Sequence, residues 1–386
     1  MRRILLWGLL VFVLAGAALG VARQEELTRL LAVNTLFDEE KIVHNFSHMG
    51  ELFHSKAIQT SGKDPSPLPR GDAVDLPDDL DRWLADRATT GIVVLSGGEI
   101  VFEDYFLGTG PDDLRISWSV AKSFLSALLG TVIEEGVIES LDDPVVKYAP
   151  LLQGSAYEGA TIRQVAQMSS GVVFDEDYLD FWSDINRMGR VLALGGSLDR
   201  FTADLTEARG EPGADWLYVS MDTHVLGMVI RGATGRDVPT LMGERIIGPL
   251  GLESQPYYVT DSEGVAFVLG GLNMMTRDYA RFGQMIAQDG MWQGQQIVPA
   301  DWIDASLRAT APTADGAARY GLQWWLPADA REGEAFAIGV YGQYIWIDRA
   351  ANVVIAINAA DRTFEEPGVF EDNITMLRRI TETVKE

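Results

Sequence analysis

Hydrophobic and polar positions divide the chain into three stretches. From Ile4 to Ala22 no residue is charged, and the basic pair Arg2-Arg3 precedes the run. As a helix this run would rise roughly 28 Å, close to the thickness of a hydrocarbon core. Residues 1–22 therefore read as a membrane anchor, or as a signal peptide cleaved near the small residues Ala15-Gly16-Ala17. Either reading keeps Arg2 and Arg3 inside and sends the rest of the chain across the membrane.

Residues 23–76 read as a stalk. Helical spacing predicts one helix over Glu25–Ala32 and a second over Asp38–Phe53, whose apolar positions are Ile42, Val43, Phe46, Met49 and Leu52. His44 and His48 stand four apart on that second helix, a spacing that suits two metal ligands. No third ligand is apparent, and solvated surface histidines are the preferred reading. Beyond Ser55 the run Ser61-Gly62-Lys63-Asp64-Pro65-Ser66-Pro67-Leu68-Pro69 predicts an irregular spacer that holds a domain off the membrane.

Residues 77–386 read as one unit. Gly91–Leu95 and Glu99–Phe102, joined by Ser96-Gly97-Gly98, predict a hairpin. Helical periods dominate from Val120 to about Leu307. Strand patterns return at Ala335–Ile338, Gln343–Asp348 and Val353–Asn358, before a last helix near Phe370–Val384. The pattern predicts an α/β (α+β) fold, with one antiparallel sheet from about 77–118 and 310–386 and a helical part over 119–309.

Composition narrows the chemistry. The formal net charge is −25, and the acidic field excludes nucleic acid as a main partner. With no cysteine there is no disulfide, zinc–thiolate site, cysteine nucleophile or lipoprotein anchor. There is no G-x-S-x-G elbow and no phosphate loop. A Ser-His-Asp triad would need His224, which lies in a helical pattern where a packed histidine is expected.

The segment Ile116-Ser117-Trp118-Ser119-Val120-Ala121-Lys122 opens a helix that is apolar almost all round, hence buried. A lysine placed there needs a task or a partner. Positions i and i+3 share a helix face, so the Lys122 amine can reach the Ser119 hydroxyl. Burial and the positive helix N-terminus both disfavour the charged ammonium, which makes Lys122 a candidate base. A second candidate is Tyr218, in Asp215-Trp216-Leu217-Tyr218-Val219-Ser220 at the expected start of another apolar helix. A phenol beside a lysine is a candidate proton shuttle, because neighbouring positive charge lowers its pKa. The third is Gly339-Val340-Tyr341-Gly342-Gln343, where glycine lets a strand approach a substrate and offer an oxyanion N–H.

In this order the three motifs resemble the serine β-lactamase and penicillin-binding-protein superfamily. Within it, residues 77–386 look most like the 6-aminohexanoate-dimer hydrolase and esterase branch. Gln167–Gly171, Glu176-Asp177-Tyr178, Thr276-Arg277-Asp278 and Tyr320–Trp325 add to the likeness. The resemblance implies a β-lactamase-like fold with Ser119 as nucleophile, Lys122 as base and Tyr218 as proton relay. It also implies backbone N–H groups of Ser119 and Val340 as oxyanion hole, with Tyr178, Ser220 and Gly339 at the substrate pocket. The Lys-Thr-Gly motif of β-lactamases aligns with Ala337-Ile338-Gly339, and Ser220 stands where lactamases carry Asn. The cation that grips a β-lactam carboxylate is therefore missing.

The expectation is an exported serine hydrolase acting on a small-molecule ester or amide, without metal or organic cofactor. It would sit in a bacterial cell envelope as a periplasmic domain, associated with the inner membrane through residues 4–22 if these remain uncleaved. The competing readings are an idle ligand- or wall-binding module of the same fold, and a true β-lactamase or D-alanyl-D-alanine peptidase. Tyr178, Phe181, Trp182, Trp216, Trp324 and Trp325 are candidate walls of an apolar acyl pocket.

Overall fold

A computed structural model describes Trp7, residues 23–62 and residues 64–385. Seven strands form one antiparallel sheet. In chain order they are β1 (Thr89–Ser96), β2 (Glu99–Tyr105), β3 (Arg319–Tyr320), β4 (Trp325–Leu326), β5 (Glu334–Gly339), β6 (Gln343–Asp348) and β7 (Val353–Ala359). Across the sheet the order is β2-β1-β7-β6-β5-β4-β3, so the late strand β7 hydrogen-bonds to the early strand β1. The sheet assembled from both ends of the chain is borne out. Gly97 and Gly98, both at positive φ, close the expected β1–β2 hairpin.

The central strands are buried on both faces, so side chains of period two feed two cores. Val93, Leu95, Ile345 and Val354 enter one, while Ile92, Val94, Trp346 and Ile355 enter the other. Six helices carry the argument: α1 (Gln24–Asn34), α2 (Ala121–Glu134), α3 (Asp184–Ala193), α4 (Ser220–Thr234), α5 (Thr276–Ala287) and α6 (Val369–Val384). α6 covers the second core through Ile374, Leu377 and Ile380. α5 lies on the first face, and α2 lies beyond it, with Phe124 stacked on Phe282 at 3.6 Å. Residues Ala121 to Val132 of α2 are all buried, as its apolar circumference requires.

The N-terminal segment departs from expectation. Residues 23–57 are packed onto the body formed by the rest of the chain instead of standing off it as a stalk. α1 packs against α3, and Phe46, Ile42, Met49 and Ile58 are buried in the main core. Ser55–Ala57 pairs antiparallel with Tyr257–Val259, extending a small second sheet. The Pro-rich run is held too, since the Ser66 N–H donates to the Gly251 carbonyl at 2.7 Å and the Ile100 N–H to Pro69 at 2.8 Å. The physical reason was present in the apolar stripe over 42–52, which a free stalk would leave in water. The second helix is also broken at His48, whose backbone leaves the helical region, into Ile42–Ser47 and Met49–Leu52. The His44 and His48 rings stack at 3.9 Å, and His48 Nδ1 is engaged at 2.7 Å by the His44 carbonyl.

The apolar run over 4–22 lies outside the described residues. Among the described residues no helix is long and apolar enough to cross a membrane.

This packing predicts the outcome of truncation. A chain starting at residue 23 should fold and melt normally, whereas one starting at residue 77 should melt at least ~10 °C lower or aggregate, because several buried side chains and a paired strand are lost. Equal melting temperatures by circular dichroism would show that the segment is the spacer its composition suggested.

Candidate active site

The chain reaches Ser119 through a short strand, Arg115–Ile116, pinned where the Ser117 N–H donates to the Leu272 carbonyl at 2.8 Å. A tight turn over Trp118–Val120 then leads directly into α2. Trp118 holds φ 43, a left-handed backbone that costs a non-glycine residue energy and turns Ser119 out of the helix. One turn on, Lys122 is 2 % exposed. Its Nζ donates to Ser119 Oγ at 2.8 Å, to the Leu269 carbonyl at 2.9 Å and to Ser220 Oγ at 3.3 Å. Burial lowers the Lys122 pKa to about 7, against the opposing pull of Glu176 and Asp222. A neutral amine has two N–H donors and one lone pair. Leu269 and Ser220 accept the two donors, which leaves the lone pair to face the Ser119 hydroxyl.

Tyr218 lies in the loop just before α4, not within the helix its sequence pattern suggested. Its ring sits 5.1 Å from Lys122 Nζ. The expected lowering of its pKa does not occur. Burial first, and then the Glu176 charge, push the phenol well above its ordinary range. A lysine that is itself poised to be neutral supplies little positive charge to counter them. Tyr218 thus stays protonated near neutral pH.

Ser220 is the first residue of α4, and its free N–H is taken by the Glu176 carboxylate, an anion at a positive helix end. Ser220 Oγ also donates to Glu176 Oε2 at 3.1 Å, and the Tyr178 hydroxyl donates to the same oxygen at 2.8 Å. Glu176 is the site residue that reading the chain missed as an individual group. Burial raises its pKa, with Lys122 pulling the other way. Its neighbour Asp222, raised by burial to about 8, accepts from Tyr157 at 2.9 Å and Ser170 at 2.8 Å. Ser170 belongs to the Gln167–Gly171 motif, whose part is to anchor the start of α4.

β5 runs past Ser119. A Cβ on Gly339 would lie 2.6 Å from the Ser117 carbonyl oxygen and 3.1 Å from the Ser119 amide nitrogen. Only glycine permits that approach, which brings Val340 to the same cavity as Ser119. Ala337 is buried in the core and offers no charge. Tyr341 follows at φ 62, and Phe37 of the N-terminal segment stacks on it at 4.6 Å while touching Trp118 at 5.7 Å.

Of the aromatic residues expected to wall a pocket, Tyr178 lines the cavity beside Ser119. Trp324 is buried in the core, Phe181 and Trp182 are exposed, and Trp216 and Trp325 pack with Tyr218 and Tyr320. His224 is packed, as expected, with Nε2 at 2.8 Å from Asp199. Among the described residues no cluster of three or more His, Cys, Asp or Glu side chains is arranged to hold a metal ion.

Known proteins share this fold. The Beta-lactamase family model matches residues 78–375. A 6-aminohexanoate-dimer hydrolase from Paenarthrobacter ureafaciens is 31% identical over 349 residues, spanning 84% of this chain and 88% of the relative. A Bacillus anthracis structure assigned provisionally as a 6-aminohexanoate-dimer hydrolase superposes with a TM-score of 0.80 at 25% identity, covering 90% of this chain and 95% of its own. A D-stereospecific amidohydrolase from Streptomyces shares the fold, with a TM-score of 0.59 at 21% identity over 76% of this chain and 99% of its own.

The tightness at Gly339 gives a direct test. Gly339→Ala should push β5 away from Ser119 and lower hydrolytic turnover by about 10²–10³, the loss typical when one backbone donor is displaced. Because the clash is with backbone, a fall in melting temperature is expected with it. Turnover within threefold of the parent would mean that the approach of β5 has no part in the chemistry.

Proposed function

The chain belongs to the β-lactamase family, and on that premise we propose that it cleaves a carboxylic ester or amide through a covalent acyl-enzyme on Ser119. One observation carries the proposal: a serine hydroxyl 2.8 Å from a buried lysine amine whose pKa lies near neutrality. Ser119 Oγ attacks the carbonyl carbon while the Lys122 amine takes its proton. The N–H groups of Ser119 and Val340 receive the developing oxyanion. Lys122, through the Tyr218 hydroxyl, returns the proton to the leaving oxygen or nitrogen as that bond breaks. Water then adds to the acyl carbon, the same base accepts its proton, and Ser119 is released with the free acid.

Efficient β-lactam turnover is not part of this reading, because Ala337 stands where a carboxylate-binding cation would be needed. Export through residues 4–22 is proposed on the basic flank and the uncharged run alone. With residues 23–57 packed on the body, an uncleaved run would hold the hydrolase close against the bilayer instead of at the end of a stalk.

Incubation with p-nitrophenyl butyrate and a fluorophosphonate probe tests the reaction. Turnover and an adduct on Ser119 are expected, and absence of both would refute it. The neutral amine is the working form, so kcat/KM should rise with pH through about 7 and then level off. Lys122→Ala should lose about 10²–10⁴-fold in turnover, and Lys122→Arg nearly as much, since a guanidinium stays protonated. An arginine variant with near-normal turnover would assign Lys122 a purely electrostatic part.

Glu176 favours the charged lysine, so removing its charge should lower the Lys122 pKa further. Glu176→Gln is therefore expected to move the acid limb of the profile to lower pH. A merely structural loss would reduce turnover at all pH values and leave the limb in place.

A further inference from the structure

We propose that the cavity beside Ser119 is an acyl-binding chamber that selects an uncharged aliphatic acyl group, and that the N-terminal segment forms part of its wall. The inference rests on the serine-hydrolase reading above and names its substrate class.

The chamber is a narrow cavity of about 90 Å³ that opens to solvent, and Ser119 lies on its wall. Val33, Leu36, Phe37, Met49 and Phe53 come from the N-terminal segment, and Met188 and Leu192 face them from α3. Phe267 and Leu269 add a third apolar side, on the loop whose Leu269 carbonyl holds Lys122. No Asp, Glu, Lys or Arg side chain lines it among the described residues. Its few polar groups are committed to the protein. Asn186 Nδ2 donates to the carbonyls of Tyr178 at 3.0 Å and Asp180 at 2.8 Å, and the Tyr178 hydroxyl donates to Glu176. An acyl chain entering here sheds water onto carbon, whereas a terminal ammonium or carboxylate would lose its hydration and gain no counter-ion. The net charge of −25 further disfavours carboxylate-bearing substrates. The relative from Paenarthrobacter ureafaciens is named for a substrate with charged ends, so this chamber points to a different acyl group.

A series of p-nitrophenyl esters from acetate to dodecanoate, assayed on the full chain, tests the proposal. Each added methylene should raise kcat/KM by ~4-fold until the chamber fills, as expected for full burial of that group. The 6-aminohexanoyl ester should be at least roughly 100-fold poorer than the hexanoyl ester, because its ammonium is buried unpaired.

Gly189 supplies the structural arm, since it lines the chamber and a Cβ there would meet no atom within 4 Å. Gly189→Phe, which also favours the helix, should lower the octanoate-to-acetate ratio of kcat/KM at least ~10-fold. Leu36→Ala should shift the optimum to a longer chain. A flat chain-length profile in an enzyme that hydrolyses acetate and is labelled at Ser119 would overturn the chamber and leave the hydrolase reading intact. Equal rates on hexanoyl and 6-aminohexanoyl esters, or an unchanged ratio in both folded variants, would do the same. No turnover with any ester and no labelling would remove the hydrolase reading, and the chamber with it.

Discussion

The burial of the Lys122 amine is the constraint from which the rest of the site follows. A lysine head group taken out of water at the start of a helix is disfavoured as a cation by desolvation and by the helix dipole. The surroundings hold it without restoring a simple ion pair. Ser119 and Ser220 are hydroxyls, Leu269 contributes a carbonyl, and Glu176 is kept one residue away, its carboxylate occupied by the Ser220 N–H and the Tyr178 hydroxyl. A carboxylate in direct contact would lock the lysine in its charged form. At one remove, Glu176 sustains hydrogen bonds and raises the lysine pKa only part of the way back.

The same site depends on backbone held away from its preferred conformations. Trp118 precedes Ser119, and Tyr341 follows Val340, and both occupy the left-handed region that favours glycine. Such residues persist where their surroundings over-determine them, and here two side chains serve both. Phe37 lies against the Trp118 ring and stacks on Tyr341, while Phe46 packs edge-on to each at 5.4 and 5.6 Å. The N-terminal segment therefore acts as a brace between the Trp118–Val120 turn and the end of β5, beyond covering the core.

How much of this was legible in the chain depended on the range of the interaction. Ser119 and Lys122 lie within one helical turn, so a lysine in an otherwise apolar helix marked them directly. The five longer sheet strands were legible because their apolar runs bounded by turn residues say strand whatever they pair with, whereas the two-residue β3 and β4 carry no run to read. Glu176 was not, because its partners Ser220 and Lys122 are distant in the chain, and a lone glutamate in an acidic loop carries no local signal. The apolar stripe at Ile42, Phe46 and Met49 was visible. Its meaning was lost when a Pro-rich run was taken to detach everything before it. Proline prevents regular structure, yet Ser66 and Pro69 show an irregular chain lying fixed on a surface by its backbone groups. The pKa of Tyr218 was misjudged for a related reason: proximity to a lysine is readable from sequence, but whether that lysine carries its charge is not.

The two neighbouring buried groups also show what the arrangement demands of the fold. Lys122 has its pKa lowered to about 7 and Asp222 has its raised to about 8, both by desolvation. In the unfolded chain near neutrality the lysine binds a proton and the carboxylate does not. Folding must therefore release the proton of one and protonate the other. For the lysine, the unfolded state holds more protons between about pH 7 and its ordinary value, so its contribution to stability improves as pH rises through that window. For Asp222 the native state holds more protons between its ordinary value and about pH 8, so stability declines as pH rises there. The lysine penalty is nearly complete at neutral pH, and that of Asp222 grows until about pH 8. Acidification relieves the carboxylate but charges the buried amine, and alkalinisation relieves the amine but leaves a bare carboxylate inside. A fold that keeps both groups uncharged must draw its stability from elsewhere, and the two-faced sheet with α2, α5 and α6 packed against it provides the apolar burial to do so.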